Sequence, residues 1–311
     1  MPLDPQAKIF LDQVKTLANP SLHTLGAIKA REAFAERPAL LAPEWVPMAA
    51  VVNRTIDTPD ISIPVRIYTP IESTDLLPVF IFYHGGGMVI GTLDSYDTLC
   101  RQLASQSGCI VVSVDYRLAP EHKFPAAVDD AFAALVWTLA QAHSFGGDHS
   151  TIAIGGDSAG GSLAAVVAIM ARDAPLPAIK FQLLIYPATA PHADSASHLA
   201  FANGFFLERE TVLWFHHCYL RADKDREDFR YAPLIANTLR ELPPALVIVA
   251  TYDTLRDEGV AYAERLQASG VTVELQEYDG MFHPFVSLAG ILDEGKRAIT
   301  AAAKALREHL L

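Results

Sequence analysis

The chain has 311 residues, and 24 Lys and Arg against 36 Asp and Glu give it a formal charge of −12. Phosphate binding requires a basic face, so this deficit of cations excludes a nucleic-acid scaffold. With 51% hydrophobic and 19% charged residues the chain is too apolar for disorder, and no apolar run approaches the roughly 18 residues of a membrane span.

The first residues, Met1-Pro2-Leu3-Asp4-Pro5, are not a basic segment leading into an apolar one, so a cytoplasmic protein without membrane insertion is expected. Cys100, Cys109 and Cys218 form neither a C-x-x-C pair nor a metal-ligand spacing, and they read as reduced thiols. Histidine occurs 11 times without a metal-binding pattern. His216 and His217 are adjacent, so on a helix their rings diverge by about 100° and do not converge on one ion. No metal is expected.

Residues 1–45 carry two helical patterns, Ile9, Phe10, Val14 and Leu17, then Ile28, Phe34 and Leu40, ahead of any strand. From residue 47 onward short β-branched runs alternate with amphipathic stretches, the pattern of βα units building a mostly parallel sheet. Ile61, Ile63, Val65 and Ile67 alternate with polar residues around Pro64, which has no N–H to give a ladder. That segment reads as an edge strand in an antiparallel opening hairpin with residues 49–53. Six further strands are expected at 78–83, 109–114, 151–154, 180–186, 245–250 and 271–278, making eight. Most of these are near-continuously apolar, as strands covered on both faces are, whereas the last alternates and is expected at the other edge. Residues 127–142 and 261–268 read as crossover helices.

Residues 190–225 interrupt the alternation with a polar, glycine-containing stretch and then the aromatic helical pattern of Val212, Leu213, Trp214, Phe215 and Tyr219. Insertions of this length are lids or binding elements as a rule. The chain therefore divides into an α/β domain over 46–189 and 226–311, and a helical cap over 1–45 and 190–225.

The strand at 151–154 runs into Gly156-Asp157-Ser158-Ala159-Gly160 and then into a helix of small residues. This is G-x-S-x-G between a strand and a helix, a sharp turn that exposes a serine above the sheet. Ser158 is the candidate nucleophile. The strand at 78–83 ends in His84-Gly85-Gly86-Gly87. Three glycines there cost conformational entropy and suit a close approach of backbone N–H groups to a developing oxyanion. The oxyanion group is Gly85, Gly86, Gly87 and Ala159, with Gly86, Gly87 and Ala159 as donors and Gly85 giving flexibility and space. His84 reads as a loop anchor. A serine needs a base and an orienting carboxylate, and behind a G-x-S-x-G turn these follow it in the order acid, then histidine. Asp253 and His283 each stand just beyond a strand, on the rim that carries Ser158. Asp257 and Glu258 are rivals for the acid, but a helix beginning near 253 carries them off the rim. Asp279 suits a turn.

These motifs, with Asp115-Tyr116-Arg117-Leu118-Ala119-Pro120-Glu121-His122 and Leu255-Arg256-Asp257-Glu258, resemble the bacterial hormone-sensitive-lipase-like esterases, family IV of the α/β hydrolases. The resemblance covers nearly the whole chain. It implies cofactor-free hydrolysis of carboxylic esters, usually of short to medium acyl chains, beneath a cap of N-terminal helices and an insertion. It also implies that the 115–122 motif is structural and braces the glycine loop. Two positions depart from the pattern: Met88 stands where an aromatic residue often follows the glycines, and Pro284 where glycine often follows the histidine. The expected partner is a small ester, held in an apolar pocket by Met88, Phe206, Leu207, Val212 and Phe215, with Phe10 and Leu11 from the first helix. The exposed last edge strand suits a homodimer. Two readings of the same scaffold stay open, an amidase or acyltransferase with the same triad and a non-catalytic ligand-binding protein.

Overall fold

A computed structural model describes residues 2–17, 19–58 and 61–311. Met1 and Ala18, within the first predicted helical stretches, lie outside the described residues, as do Pro59 and Asp60. The strands are β1 (Ala50–Asp57), β2 (Ser62–Thr69), β3 (Leu77–Tyr83), β4 (Ile110–Val114), β5 (Gly147–Asp157), β6 (Phe181–Ile185), β7 (Ala245–Tyr252) and β8 (Val273–Phe282). They form one eight-stranded sheet in the order β1-β2-β4-β3-β5-β6-β7-β8. The pairs β1/β2 and β2/β4 are antiparallel, and the rest are parallel.

The helices are α1 (Pro5–Leu17), α2 (Ala27–Ala35), α3 (Asp97–Ser107), α4 (Ala126–Gln141), α5 (Ala159–Arg172), α6 (Ala196–Ala200), α7 (Arg209–Tyr219), α8 (Arg256–Ala268) and α9 (Asp293–Leu310). They cover both sheet faces, which accounts for the unbroken apolar strands. Along β3, Val79, Ile81 and Tyr83 face one core with α4, α5 and α8, while Phe80 and Phe82 face the other with α3 and α9. Each inward side chain removes apolar surface from water, worth about 1.5–3 kcal/mol for a residue of this size.

One sequence expectation fails. The Ile61–Ile67 segment is not at the sheet edge: β2 lies between β1 and β4, and β1 takes the edge. Pro64 is tolerated because it sits at the end of the β4 ladder, whose register with β2 begins at Val65 and Val114. The Pro64 carbonyl accepts from the Asp115 N–H, just past β4. At the opposite side β8 does occupy the edge.

Because β3, β5, β7 and β8 run parallel to one another, their C-terminal ends share a rim. Two helical segments outside the alternation are tied together by the Ser21 hydroxyl, which donates to Glu208 at 2.7 Å, and by the His23 and Thr211 side chains at 3.1 Å. Arg31 of α2 donates to the Val89 and Ala119 carbonyls and to Glu121. Among the described residues no helix is long and apolar enough to cross a membrane.

Candidate active site

β5 ends at Asp157, and α5 begins at Ala159. Ser158 between them has φ 55° and ψ −121°, a strained conformation for a residue with a side chain. Its N–H donates to the Ile185 carbonyl at 2.8 Å, which pins the turn to β6. A Cβ on either Gly156 or Gly160 would collide with the Tyr83 carbonyl oxygen, so the motif's glycines are set by how closely β3 passes. The turn presents Ser158 to a cavity above the rim.

Asp253 follows β7 and His283 follows β8; both are buried. His283 Nδ1 meets Asp253 Oδ2 at 2.9 Å, while Asp253 Oδ1 accepts the Leu255 N–H at 2.9 Å. The carboxylate is thereby fixed on one side by backbone and orients the imidazole with the other, leaving Nε2 as the second ring nitrogen. The Tyr186 ring lies against the imidazole, with centroids 4.5 Å apart. His283 and Ser158 line the same cavity.

The rival acids have other partners. Asp257 accepts the Ser197 N–H at 2.8 Å and pairs with Arg256 at 3.1 Å. Glu258 accepts from the Thr189 and Ala190 N–H groups, and burial raises its pKa to about 8. Asp279 stands at 3.4 Å from the Thr251 hydroxyl on the surface.

In the glycine loop Gly86 and Gly87 have φ of 112° and 62°, values that glycine adopts without strain. The Gly86 carbonyl accepts from the Val89 and Ile90 N–H groups, closing a tight turn. Gly86, Gly87 and Ala159 line the cavity beside Ser158. Gly85 is different: its N–H is taken by Asp157 Oδ1 at 2.7 Å. It belongs to the support of the loop rather than to its donors.

Sequence reasoning passed over Asp157, the variable position of G-x-S-x-G, and Tyr96. Asp157 Oδ2 accepts from the Tyr96 hydroxyl at 3.1 Å, and burial raises its pKa to about 6. Nothing in the spacing marks Tyr96. His84 is buried, and burial lowers its pKa to about 4. Its ring stacks on Tyr116 at 4.3 Å, and its carbonyl accepts from the Tyr116 hydroxyl at 2.6 Å, so Tyr116 does brace the loop. Arg117 instead holds Asp130 of α4 at 2.7 Å, and Glu121 holds Arg31 of α2 at 2.6 Å.

The cavity measures about 1480 Å³. Met88, Phe206, Leu207, Val212 and Phe215 all line it, together with Phe10 and Leu11. The Phe215 ring lies directly on Gly87, in the space a Cβ there would need. Phe206 is 40% exposed and packs on Phe10 at 5.7 Å. His216 also lines the cavity, while His217 points to solvent, the divergence their adjacency implies. Among the described residues no group of three metal-ligating side chains exists, and the three cysteines are free and buried.

A family model described as alpha/beta hydrolase fold matches residues 80–287. The chain is 36% identical to an ethyl acetate hydrolase of Pseudomonas putida over the full length of both proteins. It is 43% identical to the carboxylic ester hydrolase LipN of Mycobacterium tuberculosis, covering 84% of this chain and 70% of that one. Among solved structures, an alpha/beta hydrolase enzyme from the metagenome of Lake Arreo superposes with a TM-score of 0.95 at 42% identity, covering 99% of this chain and 98% of that one. A Pyrobaculum calidifontis esterase does so with a TM-score of 0.91 at 39% identity, covering 99% of each chain. With the glycine loop, the serine turn and the Asp253–His283 pair on one rim, the chain belongs to the α/β-hydrolase family, in its hormone-sensitive-lipase-like branch.

Proposed function

We propose that the protein is a serine carboxylesterase acting on esters of short to medium acyl chains through an acyl-enzyme. The observation that carries this reading is the 2.9 Å bond between Asp253 and His283 on the rim that presents Ser158. The names of the relatives, ethyl acetate hydrolase and carboxylic ester hydrolase, support ester hydrolysis as the activity.

In the first step Ser158 Oγ attacks the ester carbonyl as His283 Nε2 takes its proton, and Asp253 stabilises the imidazolium that forms. The Gly86, Gly87 and Ala159 N–H groups receive the oxyanion; one such donor is worth about 2.7–4 kcal/mol of barrier. The tetrahedral intermediate collapses as His283 returns the proton to the departing alcohol. Water then gives a proton to His283, attacks the acyl-enzyme and releases the acid, and the proton returns to Ser158. The base acts only when neutral, so protonation of His283 in acid lowers kcat/KM.

In the same reading residues 1–45 and 190–225 form one cap over the 46–189 and 226–311 domain; the Ser21–Glu208 and His23–Thr211 contacts support this. Covalent labelling by an organophosphate tests the nucleophile. Ser158→Ala is expected to fold, with an unchanged circular dichroism spectrum, and to take no label. Retained label places the nucleophile elsewhere.

A further inference from the structure

Arg37, two residues past α2, lines the same cavity as Ser158 and His283. Its guanidinium lies over the Phe34 ring, 3.8 Å from the centroid. Phe34 packs on Tyr96 with centroids 6.4 Å apart, and the Tyr96 hydroxyl reaches Asp157. Arg37 therefore stands on the glycine-loop side of the nucleophile, two aromatic rings from the residue that precedes it.

The side chain has five N–H groups. Nε donates to the Phe34 carbonyl at 3.2 Å, and among the described residues no other hydrogen bond and no carboxylate within 4.0 Å engages the guanidinium. The other withdrawn arginines differ in this. Arg66 holds Asp94 and Asp97, Arg101 holds Asp97, Arg117 holds Asp130 and Arg226 holds Asp223. Arg265 donates to the Leu234 and Ala236 carbonyls. Glu32 and Glu36, which also line the cavity, are exposed. Asp157 already accepts from Gly85 on one oxygen and from Tyr96 on the other.

A cation drawn out of water without an ionised partner is disfavoured. Burial lowers the Arg37 pKa, offset in part by Tyr96 and Asp157. A planar fork of donors facing a cavity matches a carboxylate, which it binds through two parallel bonds.

We propose that Arg37 is a recognition site for a carboxylate on the substrate, so that preferred esters carry a free carboxylate on their acyl or alcohol portion, as half-esters of dicarboxylic acids do. The inference rests on the serine-esterase reading. The ligand's charge replaces the missing partner, and binding energy gained there holds the reacting ester near Ser158.

Two matched substrate pairs test it. On the acyl side, the mono-4-nitrophenyl ester of glutaric acid is compared with that of its monoamide; on the alcohol side, 3-acetoxybutanoate is compared with 3-acetoxybutanamide. Arg37→Met is expected to lower kcat/KM for the carboxylate member of at least one pair by about tenfold or more, chiefly through KM, and to leave its amide partner within about twofold; a tenfold change is 1.4 kcal/mol. Arg37→Lys, which keeps the charge without the fork and guards against a misfolded methionine variant, is expected to fall between. An equal fall in both members of both pairs, or no change in any, overturns the proposal and leaves Arg37 a support for Asp157 or the fold. Wild-type protein inactive on all four esters overturns the esterase reading, and this inference with it.

Discussion

Asp157 ties the serine turn to the glycine loop, because the residue before Ser158 accepts the Gly85 N–H at 2.7 Å. A charge-assisted bond of this kind is worth about 1.5–3 kcal/mol, against about 1 kcal/mol for a neutral one. Asp157→Asn keeps an acceptor and is expected to lower kcat by no more than about tenfold. Asp157→Ala strands a buried N–H beside the proposed oxyanion donors and is expected to lower kcat by about tenfold to a hundredfold with little change in KM. Equal kinetics in the two variants would show that the bond does not position the loop. Glu258 gives a pH signature in stability. Its carboxyl titrates near 4.5 in the unfolded chain and near 8 in the fold. Between those values the folded state binds the extra proton, so stability falls as pH rises across that window. Thermal midpoints of Glu258→Gln between pH 4.5 and 8 are expected to fall less than those of the wild type. At this scale the placement of Ser158, Asp253 and His283 on one rim was readable because motif and strand end coincide. Asp157 was not, because its role depends on a loop 72 residues away.

Elements were readable where periodicity and burial agree. β3, β4, β6, β7 and the later half of β5 announce themselves by near-continuous apolarity, since helices cover both faces, whereas the polar Gly147–Thr151 start of β5 was not readable. β2 misled, because Pro64 signals an edge and the signal holds only where the missing N–H faces a partner; here it falls at the end of the β4 ladder. α3 and α9 were not singled out in the sequence, although they pack on each other and close the second core. In α9 Ile299, Ala302, Ala303, Leu306 and Leu310 are buried along one face. Leu306→Ala is expected to destabilise the fold by about 2–5 kcal/mol, measured by urea unfolding, without altering substrate preference. α1 and α2 belong to the opposite category, since Phe10 and Leu11 line the cavity. Removal of residues 1–35 is expected to shift the acyl-length optimum; an unchanged profile across a graded ester series would separate that segment from specificity.

The molecule as a whole carries −12, yet Arg37 places a half-buried cation in the wall of the cavity that Ser158 also lines. Net charge acts at long range and is screened within about 8 Å at physiological salt, whereas a half-buried group acts at contact. Raising salt from about 10 to about 200 mM is therefore expected to increase kcat/KM for anionic esters about two- to fourfold by weakening repulsion during approach, and to leave neutral esters unchanged. The composition disclosed the first of these fields and hid the second, because one arginine among 24 basic residues has no signature until its neighbours are known. We also propose a homodimer through the β8 edge. The edge is open in the sheet order, and sedimentation equilibrium decides it: a single species of 33.8 kDa would remove the proposal.

The Phe215 ring resting on Gly87 places a constraint on the history of the chain. A side chain at 87 meets two obstacles, the positive φ and a ring contributed by α7, 128 positions later. Only the second can be lifted by another substitution. Gly87→Ala should thus be less damaging beside Phe215→Ala than alone, with the sum of the single effects exceeding the double. A side chain can therefore enter at 87 only once the ring at 215 has been cut back, and the order of the two changes is fixed.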